Sequence, residues 1–114
     1  ISAKLVFGGT SFLFTGDAYK EVELALANEF GEKLRSTVLK AGHHGSRTSS
    51  AEQFVAQVSP EIAVISAGKN NRYNHPHQEV LDTLAKYNIT ILRTDQHGDI
   101  KLLTNGKNYE VSSF

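Results

Sequence analysis

Residues 36–68 read STVLKAGHHGSRTSSAEQFVAQVSPEIAVISAG, and this stretch decides the fold. "STVLKAG" is a short strand that runs into two adjacent histidines set between glycines. Ser49 and Glu52 then stand at capping-box spacing ahead of the apolar residues Ala51, Phe54, Val55 and Val58, which predicts a helix that ends at Ser59-Pro60. "EIAVISAG" has the continuous apolar character of a strand covered on both faces. Strand, helix and strand in that order form a βαβ crossover, so the sheet is at least partly parallel.

The same alternation extends in both directions. Upstream, "AKLVFGGTSFLFTGD" gives two short runs around Gly8-Gly9-Thr10, a hairpin signal. From Ala18 to Phe30, Tyr19, Val22, Leu26 and Phe30 fall at helical spacing, with Gly31 as the stop. Downstream lies the polar loop "KNNRYNHPH", then Pro76 at a helix start and an apolar stripe of Val80, Leu81, Leu84 and Tyr87. "ITILRTDQHGDIKLLTNGKNYEV" closes the chain as strand, turn, strand, turn and strand, with Asn105-Gly106 a hairpin signal. The expected order is ββαβαβαβββ: an α/β fold with a mixed β-sheet and three helices. Asp17, His43-His44 and the Asn70–His77 loop each follow a strand and precede a helix, which is the edge where open α/β sheets bind ligands.

A length of 114 residues with 39% hydrophobic content supports one domain and a modest core. Twelve basic and twelve acidic residues cancel, so no overall field concentrates polyanions. The absence of cysteine removes disulfides, thiolate metal sites and a cysteine nucleophile, and leaves any metal work to histidine and carboxylate. The apolar runs are too short and interrupted for a membrane segment, so the chain is expected to be soluble. It begins in strand-like sequence without methionine, which suggests a piece of a longer protein.

Asp17 on a strand-to-helix turn and one of His43 or His44 are suitable metal donors, with Gly16, Gly42 and Gly45 allowing sharp turns beside them. Asp17 equally suits a helix N-cap, and the histidine pair a polar loop. Lys40, Lys69, Arg72 and Lys107 form either a basic rim or scattered solvated charges. His97, beside Gly98, reads as a turn residue.

"FLFTGDA", "VLKAGHHGSRTSS" and "AVISAGKNNRYNHPHQEVL", followed by "ILRTDQHGDI", resemble the C-terminal half of a metallo-β-lactamase-fold hydrolase. Within that family the resemblance is closest to the metallo-β-lactamase-like domain of competence (DNA-uptake) proteins of the ComEC kind and their free-standing relatives, which suggests a bacterial origin and leaves two alternatives for the parent, a membrane-attached uptake protein and a soluble hydrolase. It covers almost the whole chain to about Ile100. It implies half of an αββα sandwich and a parent that hydrolyses phosphodiesters or nucleic acid with two metals, zinc or manganese. The resemblance makes Asp17 and His43 metal ligands, with the order of His43 and His44 open, and Asp17, His44, His75 and His77 catalytic positions. Ser46, Arg47, Asn71 and Tyr73 are the implied substrate contacts, with Thr48 beside them; capping and turn duties remain the alternative for these polar residues.

The family's His-x-His-x-Asp-His loop has no counterpart here, so residues 1–114 are expected to be a partial domain, inactive alone and holding at most one adventitious ion near His43. A non-catalytic half-domain with a binding or assembly role is the alternative function. One sheet face would lack its partner, so a homo-oligomer is expected through that face.

Overall fold

The computed structural model describes residues 1–113. Chain order is β1 (Ala3–Phe7), β2 (Thr10–Phe14), α1 (Lys20–Phe30), β3 (Val38–Lys40), α2 (Glu52–Val58), β4 (Ile62–Ile65), α3 (Gln78–Lys86), β5 (Thr90–Arg93), α4 (Thr94–His97), β6 (Ile100–Thr104) and β7 (Tyr109–Ser113). Short 3-10 segments cover Gly31–Leu34 and Gly42–Gly45. β1 to β5 form one sheet in sequence order, and β6 and β7 form a separate hairpin. β1 is antiparallel to β2, whereas β2, β3, β4 and β5 are mutually parallel. The α/β class and the mixed sheet are therefore as the sequence leads one to expect. The helix count is corrected from three to four, because the turn at Thr94–His97 closes as one helical turn.

Pairing places Leu13, Leu39 and Ala63 side by side, with Ile65 two residues on, so these four share a face. All are buried, and they pack with Ala27, Leu34, Phe54 and Val58 on one side and with Val55, Val80, Leu84 and Ile89 on the other. α1, α2 and α3 thus cover this face together. Each large aliphatic or aromatic side chain taken from water here contributes about 1.5–3 kcal/mol.

Helix α1 departs from its expected stripe. Tyr19, Val22 and Phe30 are exposed and Leu26 is half-buried, whereas Glu23 and Ala27 face inward. The expected capping box on α2 is also corrected. Its N-cap is Ala51 with no side-chain cap, and the Ser49 hydroxyl donates to the Ala18 carbonyl instead. Glu23 takes over the cap, its carboxylate accepting the Ser50 and Ala51 N–H groups at 2.9 and 2.8 Å. One buried acid therefore rotates α1 and satisfies donors that α2 would otherwise orphan. Pro76 lies just before α3, whose N-cap is His77.

On the opposite face, register aligns Leu5 with Phe12, and Phe14 with Ala3 and Lys40. The β6–β7 hairpin reaches this face at a cavity of about 120 Å³ lined by Phe12, Phe14, Val38, Val64 and Leu102. Its turn is tied to the β1–β2 turn by the Gly9 N–H donating to the Gly106 carbonyl at 2.6 Å and by Thr10 Oγ1 lying 2.9 Å from Thr104 Oγ1. Leu5, Phe7 and Phe14 remain exposed.

Candidate functional site

The loops after β2, β3 and β4 meet at one end of the sheet. Immediately after β3, the Ala41 N–H donates to the Val64 carbonyl, and the chain then turns through His43 (φ 50°, ψ 45°) and His44 (φ 56°, ψ 26°). Two successive non-glycine residues in the left-handed region cost about 1–2 kcal/mol each, and such strain persists only where the surroundings impose it. Here they do so from both flanks. The His43 N–H donates to the Gly16 carbonyl at 2.9 Å, and His44 Nδ1 lies 2.8 Å from the Ser66 carbonyl, which it meets as a donor. Gly45 completes the clamp. At φ 81°, an added Cβ would stand 2.6 Å from Pro76 Cβ, and its carbonyl accepts the His77 N–H at 3.0 Å.

Five rings gather on this scaffold. His75 lies 4.7 Å from His77, 5.9 Å from His43 and 6.3 Å from His44, centroid to centroid, and 5.6 Å from Tyr73. Tyr19 adds an edge contact to His43 at 5.7 Å. Burial, followed by the proximity of His77, His43 and His44, holds the His75 pKa below the usual imidazole value, which favours its neutral form. His77 is a tie rather than a free base. Its Nδ1 accepts the Arg47 N–H at 2.9 Å, so the opposite nitrogen carries the proton and faces the Tyr73 carbonyl at 3.0 Å.

The other sequence-identified residues divide sharply. Asp17 is exposed in the β2–α1 loop and does not cap α1, whose N-cap is Tyr19 without a side-chain bond. Its charge opposes the desolvation that lowers the Lys40 pKa, so these two residues are neighbours. Ser46 is buried, and its hydroxyl closes the loop on Thr48 at 2.8 Å. Asn71 is fully engaged within its own loop: Nδ2 donates to the Gly68 and His75 carbonyls and Oδ1 accepts the His75 N–H. Arg47 and Tyr73 face solvent, with Arg47 3.5 Å from Glu79 and the Arg72 guanidinium 5.0 Å above the Tyr73 ring.

Lys107 lies outside this rim, because its hairpin turn packs on Gly8 and Gly9 at the far end of the sheet. His97 accepts the Arg93 N–H at Nδ1, as a turn residue would. A larger cavity of about 550 Å³ also opens at the far end, lined by Lys4, Arg35, Glu32 and Glu61 among others, and it includes none of the candidate residues. Glu23, Tyr19 and Ser66 carry structural duties at the site that the sequence pattern does not reveal.

Imidazoles that share one zinc place their nitrogens about 2.0–2.1 Å from it. Among the described residues, no group of three or more His, Cys, Asp or Glu side chains is disposed to hold a metal ion. Fewer than three side chains of the described residues are therefore placed to share one zinc or manganese ion. Similarly, among the described residues no helix is long and apolar enough to cross a membrane.

The chain is similar to bacterial competence and recombination proteins. It is 52% identical over 94 residues to ComE operon protein 3 of Bacillus subtilis (strain 168), covering 82% of this chain and 12% of that protein. It is 43% identical over 98 residues to Competence protein ComA of Neisseria gonorrhoeae, covering 86% and 14% respectively. Recombination protein 2 of Haemophilus influenzae is 37% identical over 95 residues, 83% of this chain and 12% of its own length. The chain thus spans only about an eighth of these relatives. No family model matches it.

These similarities support the competence part of the resemblance and correct the remainder. None of the three relatives is named as a hydrolase or a metallo-β-lactamase-like protein, and no family model supplies that assignment. The metallo-β-lactamase-fold hydrolase identity and the hydrolytic function are accordingly set aside.

Proposed function

We propose that this chain is a nucleic-acid-holding portion of a competence protein, a binding and assembly module with no catalytic step of its own. The observation that carries the reading is the rim itself. His43 and His44, on a strained, doubly clamped loop, meet Tyr73 and His75 of the β4–α3 loop in one ring cluster, and Arg47 and Arg72 stand exposed at its margin. The Arg47–Glu79 contact joins two exposed side chains at 3.5 Å and holds Arg47 only weakly. Its guanidinium therefore remains available for bidentate phosphate contact. Because the net charge is zero, attraction for DNA is local to this rim rather than a property of the whole surface. Similarity to competence proteins makes DNA the favoured polyanion. The module works assembled, with a second copy of the chain meeting the exposed Leu5, Phe7 and Phe14 of the sheet face that the helices leave open.

Fluorescence anisotropy with labelled DNA tests the binding reading. The double variant Arg47→Ala/Arg72→Ala is expected to weaken binding roughly tenfold at about 50 mM salt and to reduce the slope of log K against log salt by about two. Absence of DNA binding at low salt, or a slope the double variant leaves unchanged, would overturn it.

A further inference from the structure

The five-stranded sheet ends on one side at β1, which pairs with β2 alone. One set of its main-chain N–H and C=O groups therefore has no ladder partner, and such an edge is a template for a further strand. Among the described residues, no backbone group of Ala3–Phe7 bonds to backbone outside the β1–β2 ladder. Proteins usually blunt an edge of this kind with charges, bulges or a cover. Here a single lysine, Lys4, stands in a strand whose Leu5, Val6 and Phe7 are all exposed.

Beside this edge lies an apolar cavity of about 190 Å³. Leu13, Leu26, Phe30 and Leu34 line it, which places it between the start of β1 and the C-terminal end of α1. Register sets Lys4 opposite Leu13, and directly opposed residues share a face. Leu13 is buried under the helices, so Lys4 is on the helix side as well. A strand added to β1 continues the pleat, and the residue it sets opposite Lys4 emerges on that same side, at the cavity. The volume is below the 300–1,000 Å³ or so of a drug-sized pocket and suits one branched aliphatic side chain. Lys33 lines the cavity together with Lys4, whose ammonium donates to the Lys33 carbonyl at 2.8 Å. Among the described residues, neither lysine has a carboxylate within ion-pair distance. Glu32 borders the wider cavity on which Lys4 also abuts, not this one.

We propose that β1 is the docking edge for an extended segment of another protein, which adds a strand to the sheet, seats a branched aliphatic side chain in the cavity and sets a carboxylate against Lys4 and Lys33. Strand addition of this kind draws affinity from main-chain hydrogen bonds and specificity from a pocket for alternate side chains. Charge decides against a second copy as the occupant. Its own β1, AKLVF, would bring a lysine and no acid to the two lysines already there. The inference is independent of the nucleic-acid reading, because the cavity shares no residue with the histidine rim.

The test uses the 114-residue chain and a fluorescein-labelled synthetic peptide of about nine residues, alternating threonine and valine, with leucine replacing the central threonine and aspartate the next threonine. Fluorescence anisotropy is expected to show saturable binding, and amide hydrogen exchange within Ala3–Phe7 is expected to slow when the peptide is bound. Phe30→Ala, at an exposed position, is expected to weaken binding roughly tenfold. Lys4→Glu is expected to weaken it at least about threefold, and a peptide with lysine in place of the aspartate is expected to recover that loss on the variant while binding the wild type more weakly. Circular dichroism confirms that each variant is folded. No binding up to about 1 mM peptide, binding without protection of Ala3–Phe7, an unchanged affinity in Phe30→Ala, or a charge swap that recovers nothing overturns the proposal. Release of monomer from a dimer in step with peptide binding also overturns it, since a second copy would then be the natural cover of β1.

Discussion

At the scale of single residues, Glu23 shows how one side chain sets both structure and pH response. Its surface is 0% exposed, and its two oxygens accept the Ser50 and Ala51 N–H groups. Burial raises its pKa above the ordinary carboxylate value, while those two donors and the Lys20 charge pull the other way. A folded-state pKa above the unfolded one means that folding favours the proton. Glu23's contribution is therefore present in full below the unfolded carboxylate value and is lost as pH rises through the raised folded value. Glu23→Gln keeps the size but leaves one backbone N–H facing an amide donor, an expected loss of about 1–3 kcal/mol. Urea unfolding between about pH 7 and pH 4.5 should show the wild type gaining on the variant as the solution is acidified. A gap that narrows on acidification contradicts this assignment. Nothing in the spacing of Tyr19, Val22, Leu26 and Phe30 marks Glu23 as the inward residue, since a buried acid with main-chain partners looks like a solvated one in sequence. The adjacent histidines are the converse case. Their chemistry is plain from the letters GHHG, but their left-handed backbone is not, because glycines beside them suggest that the glycines take the turn.

Among the elements, those with long apolar periods were legible and those fixed by contact were not. The β3–α2–β4 crossover, the order of all seven strands and the buried positions Phe54, Val55, Val58, Val80 and Leu84 follow from spacing alone. α4 is one turn long, too short to carry a period, so only its turn character was visible. The cap of α2 came from another helix, which no local capping box can report. The junction of the two histidine loops is likewise non-local, and it rests on Gly45. Ala at that position meets Pro76 Cβ at 2.6 Å and Ile65 Cγ2 at 3.2 Å, and it must also adopt φ 81°. Gly45→Ala is expected to destabilise by about 2 kcal/mol or more, combining left-handed strain with steric overlap. For a chain of this size that lowers Tm by on the order of 10 °C, readable by thermal denaturation. A melting point within a degree or two of wild type would show that the two loops are not wedged together as described.

For the molecule as a whole, topology brings the loops after β2, β3 and β4 to one edge, and that convergence was readable because parallel strands joined by helices must point the same way. The chemistry at the edge was not, since histidine and arginine in such loops serve hydrolysis and binding alike. Shape also leaves one apolar surface open. α1, α2 and α3 bury the face bearing Leu13, Leu39, Ala63 and Ile65, whereas Leu5, Phe7 and Phe14 on the opposite face remain 59%, 53% and 44% exposed. The β6–β7 hairpin shields only part of that face, around Phe12, Val64 and Leu102. A two-fold contact sets the same residues of two copies against each other and closes without further growth. Size-exclusion chromatography with light scattering at high micromolar concentration is therefore expected to give about twice the 12.5 kDa chain mass. β1 is an edge strand, so a dimer could also form by pairing β1 with β1. Phe14→Asp separates the two arrangements, because Phe14 lies on β2 and points from the sheet face rather than its edge. Face packing predicts that Phe14→Asp gives a folded monomer, since a charge opposite its own copy is both desolvated and repelled. An edge-paired dimer would survive the substitution, and a wild-type monomer at that concentration would mean that no second copy covers this face.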